Sequence, residues 1–187
     1  MGNEPVVNEA GGGFVRDATA ADASAVAGVQ MRCWRNDYPW PDEVFTELAA
    51  SDPELQWARA VIAPPGPGHR LLVATHGGDV VGFGALAPSA DADAEPGEVE
   101  IVAWEVDPEH RGHGHGSRLL AALADHARSI RANTLVAWIS PEDESRQFVL
   151  RAAGFQPDGA HRAVRLGDGW GTADVELRQV RLVAALD

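Results

Sequence analysis

The chain has 187 residues, of which 45% are hydrophobic and 23% charged, and its formal net charge is -13. That length suits one ordinary domain that buries a core without disulfides or structural metals, and the composition excludes collagen-like and wholly disordered classes. All positive side chains are Arg, because the sequence contains no Lys; this excludes a P-loop, and so acidic a chain repels both nucleic-acid phosphates and anionic membrane surfaces.

Residues 1–12 are polar, acidic and Gly-rich, with neither the charged nor the apolar region of a targeting segment, and are expected to form a flexible tail ahead of a single domain over 13–187. A short strand near Phe14 to Asp17 is followed by Thr19, a residue suited to cap a helix over Ala21 to Cys33. That helix carries Ala23, Val26, Ala27, Gln30 and Met31 at helical spacing. Two more helical stretches lie near Glu43 to Ala50 and Glu54 to Ile62. From Leu71 to Ala74 the pattern becomes that of a buried strand, the run His76-Gly77-Gly78-Asp79 is a tight turn, and Val80 to Leu86 returns as its partner. Glu98 to Val106 is a long strand that leads through Asp107 and Pro108 into a Gly-rich turn. The helix opened there ends near Ala132 and aligns Leu119, Leu120, Leu123, Ala127 and Ile130 on one stripe. Thr134 to Ile139 is a strand, Glu144 to Ala153 a helix stopped by Gly154, and Val175 to Val183 an alternating strand. Turn-rich breaks fall at Pro64 to Gly68, Pro88 to Gly97 and Gly167 to Thr172. The order implies an α/β (α+β) domain with a mixed sheet flanked by helices. The lone Cys33 closes no intramolecular disulfide, and no run reaches the length of a membrane helix, so a cytoplasmic protein is expected.

Chemistry concentrates in Val106-Asp-Pro-Glu-His-Arg-Gly-His-Gly-His-Gly-Ser117. Gly112, Gly114 and Gly116 remove side chains at alternate positions, so main-chain N–H groups approach an anion closely while the helix dipole adds positive charge. Arg111 stands where a guanidinium holds the same anion from its flank. A dinucleotide fingerprint requires Gly where Ser117 stands. His110, His113 and His115 invite a metal reading, but a metal would block the amides that the glycines expose; these residues are expected to be solvent-facing loop histidines, with no metal bound.

The run V-x-P-x-x-R-G-x-G-x-G resembles the acetyl-coenzyme A signature of the GNAT superfamily of N-acetyltransferases. The resemblance extends to Ala152-Ala153-Gly154-Phe155 at a helix end, to the alternating C-terminal strand, and to Trp34-x-x-x-Tyr38 followed by Pro41-Asp42-Glu43. It implies a mostly antiparallel central sheet splayed at the acetyl-CoA site, and a bacterial acyltransferase that moves an acetyl group to a primary amine by direct attack in a ternary complex. It also implies that Trp104, Val106, Arg111, Gly112, His113, Gly114, His115, Gly116, Ser117 and Asp143 hold the coenzyme, with the amide near Val106 as oxyanion donor. A homodimer is common in the family.

A thioester needs no covalent enzyme intermediate, but an ammonium must lose a proton before it attacks. Strict alternation puts Glu100, Val102, Trp104 and Val106 on one face of the strand and Ile101, Ala103 and Glu105 on the other. Glu100 stands where some members carry a catalytic Glu and is expected to be the base, with Glu105 as the alternative. Many members protonate the departing thiolate with a Tyr four residues before the helix-ending Gly; here that residue is Leu150. Tyr38 is the sole phenol in the chain, so the proton is expected from it or else from water, from Ser145 or from the substrate amine itself. Trp34, Tyr38 and Trp40 crowd one turn and could enclose a small cationic amine by cation–π attraction. The competing expectations are a coenzyme A-binding sensor that has lost turnover and a metal-dependent hydrolase built on the histidines.

Overall fold

The computed structural model describes residues 13–165 and 175–187; the expected tail over 1–12 and the break at Gly167 to Thr172 lie outside the described residues. Strands β1 (Phe14–Asp17), β2 (Arg70–His76), β3 (Asp79–Pro88), β4 (Glu98–Val106), β5 (Thr134–Ile139), β6 (Gln156–Arg165) and β7 (Glu176–Ala185) form one sheet in the order β1-β2-β3-β4-β5-β7-β6. Every neighbouring pair is antiparallel except β4 and β5. A parallel pair needs a long crossover, which helix α4 (His115–Ser129) supplies between those two strands.

Helices cover both faces because β2 and β3 are apolar on both sides. Leu72, Ala74 and Leu86 join Leu119, Leu120 and Leu123 of α4, and Leu150 of α5 (Glu144–Ala152), in one core. Leu71, Val73, Phe83 and Ala85 meet Val26, Val29 and Cys33 of α1 (Ala23–Asp37), with α3 (Pro53–Ile62) alongside, in the other. Helix α2 (Asp42–Ala50) packs Val44, Phe45 and Leu48 against Trp34 and Trp40.

Several boundaries differ from the sequence reading. A 3-10 turn at Ala20–Asp22 precedes α1, which runs on to Asp37, and its buried stripe is Ala23, Val26, Val29 and Cys33 rather than Ala27, Gln30 and Met31. Helix α4 stops at Ser129. Strand β6 has no apolar signal of its own, since it carries Pro157, Gly159 and mostly exposed side chains, and exists through pairing with β7.

Candidate active site

The site begins where two strands part. Glu98 to Ile101 of β4 pair with Thr134 to Ala137 of β5 and the pairing stops there, although β4 continues to Val106 and β5 to Ile139. A bulge lies at the same point: Ala85 faces Ala103 and Leu86 faces Ile101, which leaves Val102 without a partner and 51% exposed. One extra residue in a strand inverts the alternation beyond it. The expected grouping of Glu100 with Trp104 and Val106 is therefore corrected. Ile101, Trp104 and Val106 all pack toward α4, whereas Ala103 packs toward α1.

The bulge also decides where main-chain groups point. The Asp107 N–H donates to the Val81 carbonyl at 2.9 Å, so by the alternation of an antiparallel ladder Glu105 turns its main-chain groups to β3 while Trp104 and Val106 turn theirs into the gap. The Val106 carbonyl there accepts from Arg111 Nε at 3.0 Å and from the Cys33 thiol at 3.2 Å.

Facing the gap is the glycine loop. Gly112 and Gly114 have φ of 79° and 77°, left-handed values that L side chains adopt only under strain. A Cβ on Gly112 would project into open space. Gly114 is the N-cap of α4 and no side chain caps that helix, so its first amides remain free to bind an anion. The Trp104 indole donates to the Gly116 carbonyl at 3.0 Å and ties the first turn of α4 to β4. A cleft of about 1130 Å³ runs along the gap, lined among others by Val106, Gly112, Gly116, Ser117, Asp143 and Arg146.

Of the other loop residues named from sequence, Arg111 and His115 line the cleft, while His113 and Gly114 do not. Nor is His115 a solvent-facing loop histidine: it is the first residue of α4, 2% exposed, with rings of His76 and His113 nearby, and burial lowers its pKa. Among the described residues no group of three or more His, Cys, Asp or Glu converges as a metal cage.

An ionic network, invisible in the sequence, stands across the gap. Arg111 grips Asp37 with both terminal nitrogens, at 2.7 and 2.8 Å, and that pairing raises its pKa. Asp37 also accepts from Arg146 Nη2 at 3.3 Å. Although burial opposes it, the pairing with Arg111 holds Asp37 below the usual carboxylate range. Arg146 rises from α5 to meet Glu105 with the same Nη2, and its Nε lies 3.3 Å from Asp143, the N-cap of its own helix. Glu105 is 7% exposed, and burial pushes its carboxyl up although Arg146 pulls it back.

Behind the gap a pocket of about 170 Å³ is lined by Trp34, Tyr38, Trp40, Val102, Glu105 and Arg146, among others. Tyr38 and Trp40 stack at 4.4 Å, and Trp34 meets Trp40 edge-on at 6.1 Å. Trp34 divides itself between this pocket and two core clusters. Burial raises the Tyr38 phenol, which lines both cavities. Glu100 lies elsewhere. It lines neither cavity and is bound at 3.2 Å by Arg162, whose guanidinium stacks 4.3 Å over Trp138.

Arg146 and Asp37 escaped the sequence reading, which named Trp104 but not the bond its indole makes to Gly116. Only Arg146 left a local trace, one turn before Leu150 on the same face of α5.

A family model described as the acetyltransferase (GNAT) family matches residues 25–155. Over 144 residues the chain is 28% identical to the N-alpha-acetyltransferase RimI of Mycobacterium tuberculosis, covering 77% of this chain and 78% of that protein. It is 29% identical over 145 residues to an aminoglycoside N(6')-acetyltransferase type 1 of Stenotrophomonas maltophilia, covering 76% and 85%. Among solved structures, yncA of Salmonella typhimurium, a putative acetyltransferase with its cofactor acetyl-CoA, superimposes with a TM-score of 0.69 at 24% identity, over 94% of this chain and 95% of that one.

Proposed function

The chain belongs to the acetyltransferase (GNAT) family, and from that premise we propose that it acetylates the primary amine of a small cationic molecule by direct attack in a ternary complex. As a member of that family it is an acyltransferase that uses acetyl-CoA as co-substrate. The observation that carries the finer reading is the parting of β4 and β5 opposite an uncapped α4, with a deep cleft between them.

The residues fit the co-substrate. Gly112 and Gly116 keep the cleft wall bare, and the free amides of the first turn of α4 suit a diphosphate. Ser117 and Asp143 line the wall on either side, and the main-chain amide of Val106, turned into the gap, suits an oxyanion. Acetyl-CoA supplies an acyl carbon activated by a thiolate leaving group. Arg111 serves in this reading as a brace, since Asp37 and Val106 already occupy it.

Of the two carboxylates expected as base, Glu105 is the one we assign, because it lines the small pocket and burial raises its proton affinity. Trp34, Tyr38 and Trp40 enclose the acceptor, and Glu105 on the same pocket draws its ammonium group. The name of the aminoglycoside-acetylating relative supports a small polycationic acceptor. The reading treats 13–187 as one catalytic domain working in the cytoplasm, where the single buried thiol stays reduced. None of the described helices is long and apolar enough to cross a membrane.

Thiol release from acetyl-CoA, followed with aminoglycosides, diamines, amino acids and a peptide N-terminus as acceptors, tests the assignment. Turnover with the first two classes is expected. Turnover with the peptide alone overturns the small-molecule acceptor, and coenzyme A binding without release for any amine supports a sensor, the role that buried Leu150 at the usual Tyr position favours.

A further inference from the structure

We propose that the Arg146 guanidinium stabilises the coenzyme A thiolate as it departs, so that the reaction needs no proton donor on sulfur. The proposal rests on the acetyltransferase reading above and concerns the step for which this chain lacks the usual phenol.

Three observations converge. Arg146 lines both the large cleft and the small pocket, so it stands at the partition where the two halves of the reaction meet. On α5 it precedes Leu150 by one turn, and residues four apart share a helix face; a cation therefore occupies the neighbouring position on the face that here presents a fully buried leucine. Its Nη2 is taken by Glu105 and Asp37 and its Nε faces Asp143, whereas Nη1 makes no hydrogen bond to any described residue. Two N–H donors remain for a ligand.

Three carboxylates surround one guanidinium, and the proton balance decides when its charge is available. Glu105 takes one proton from the ammonium and becomes neutral before the nitrogen attacks; the second proton, shed as the nitrogen bonds to the acyl carbon, passes to solvent. Arg146 has therefore lost its strongest counter-charge by the time the carbon–sulfur bond breaks and the electron pair goes to sulfur. The guanidinium changes partner from carboxylate to thiolate. Solvent protonates the thiolate after release. Asp37, held on its other side by Arg111, and Asp143, fixed as the cap of α5, stay ionised and keep Arg146 in place.

The test is a titration of bound coenzyme A. Thiolate ultraviolet absorbance of the Glu105→Gln complex, whose uncharged side chain reproduces the neutral Glu105 of the reaction, taken as a difference against the complex with desulfo-coenzyme A, is expected to give a midpoint about one pH unit or more below the ~8.5 of an ordinary thiol. Adding Arg146→Gln abolishes that lowering. Adding Arg146→Lys instead, which retains the charge and guards against a glutamine variant that folds poorly, keeps part of it. A Glu105→Gln midpoint at or above that of the free thiol overturns the proposal, as does a lowering that survives Arg146→Gln or that disappears instead in Tyr38→Phe. Failure of the wild-type protein to bind coenzyme A overturns the acetyltransferase reading itself, whereas binding with an unshifted thiol in Glu105→Gln overturns only the role of Arg146.

Discussion

Replacing Glu105 by Gln separates the structural and chemical duties of that residue. Removing one member of a buried ion pair costs about 3–5 kcal/mol when the other is stranded. Here Arg146 keeps Asp37 and Asp143, each at 3.3 Å, and Gln still accepts a neutral hydrogen bond, so about 2 kcal/mol is expected. For a domain of this size, that lowers Tm by roughly 4–8 °C. The catalytic loss is larger, about 10²- to 10⁴-fold at neutral pH, the usual worth of a positioned base. Its pH dependence distinguishes the two duties. Burial raises Glu105, so the acid limb of the wild-type rate lies above the ordinary carboxylate range, and the limb vanishes in the variant. Above a pH of about 10, where an alkyl amine deprotonates itself, the two proteins converge. Thiol release at a series of pH values, alongside thermal melts, reads both effects. A catalytic loss of equal size at every pH refutes proton transfer to Glu105 and leaves it a purely structural partner of Arg146.

Gly112→Ala forces an L residue into a φ of 79° and should cost about 1–2 kcal/mol; its methyl group enters the cleft, so the thermal stabilisation that coenzyme A gives the wild type should disappear, and full retention would count against the cradle. Asp22 is buried and accepts from both terminal nitrogens of Arg16, at 2.7 and 2.8 Å, which holds its carboxyl far below the usual range. A depressed carboxyl stabilises above its unfolded pKa and loses that contribution as pH falls through its folded one. Asp22→Asn should therefore cost about 1–2 kcal/mol by urea titration at pH 7 and progressively less below about pH 4; an equal penalty at pH 3 refutes the linkage. Cys33 is fully buried, and burial pushes its thiol up to about 12, so a disulfide reagent at pH 8 should leave it unmodified until urea unfolds the chain.

Contact range separates what could be read from the chain and what could not. Most helices and strands follow from local periodicity, and β6 did not because Pro157, Gly159 and an exposed surface erase the pattern that β7 restores by pairing. The boundary of α1 slipped by a turn because Trp34 to Asp37 look like the start of the aromatic turn, yet remain helical. The bulge at Val102 carries no signature, and without it every side chain from Ala103 to Val106 is assigned to the wrong face.

The sequence alone marked the glycine loop and the helix it opens, because a strand, a proline, an arginine, alternate glycines and a helix start are contiguous there, and contiguous residues constrain one another through backbone geometry. It also put Leu150 where the family resemblance expects a Tyr. Only the tertiary structure decided that Glu105 rather than Glu100 lines the small pocket, and that Arg111 and Arg146 share Asp37 across 74 and 109 residues of chain. Those pairings follow from the packing of α1, β4 and α5 around a gap in the sheet, and no local pattern encodes which distant charge will fill such a gap.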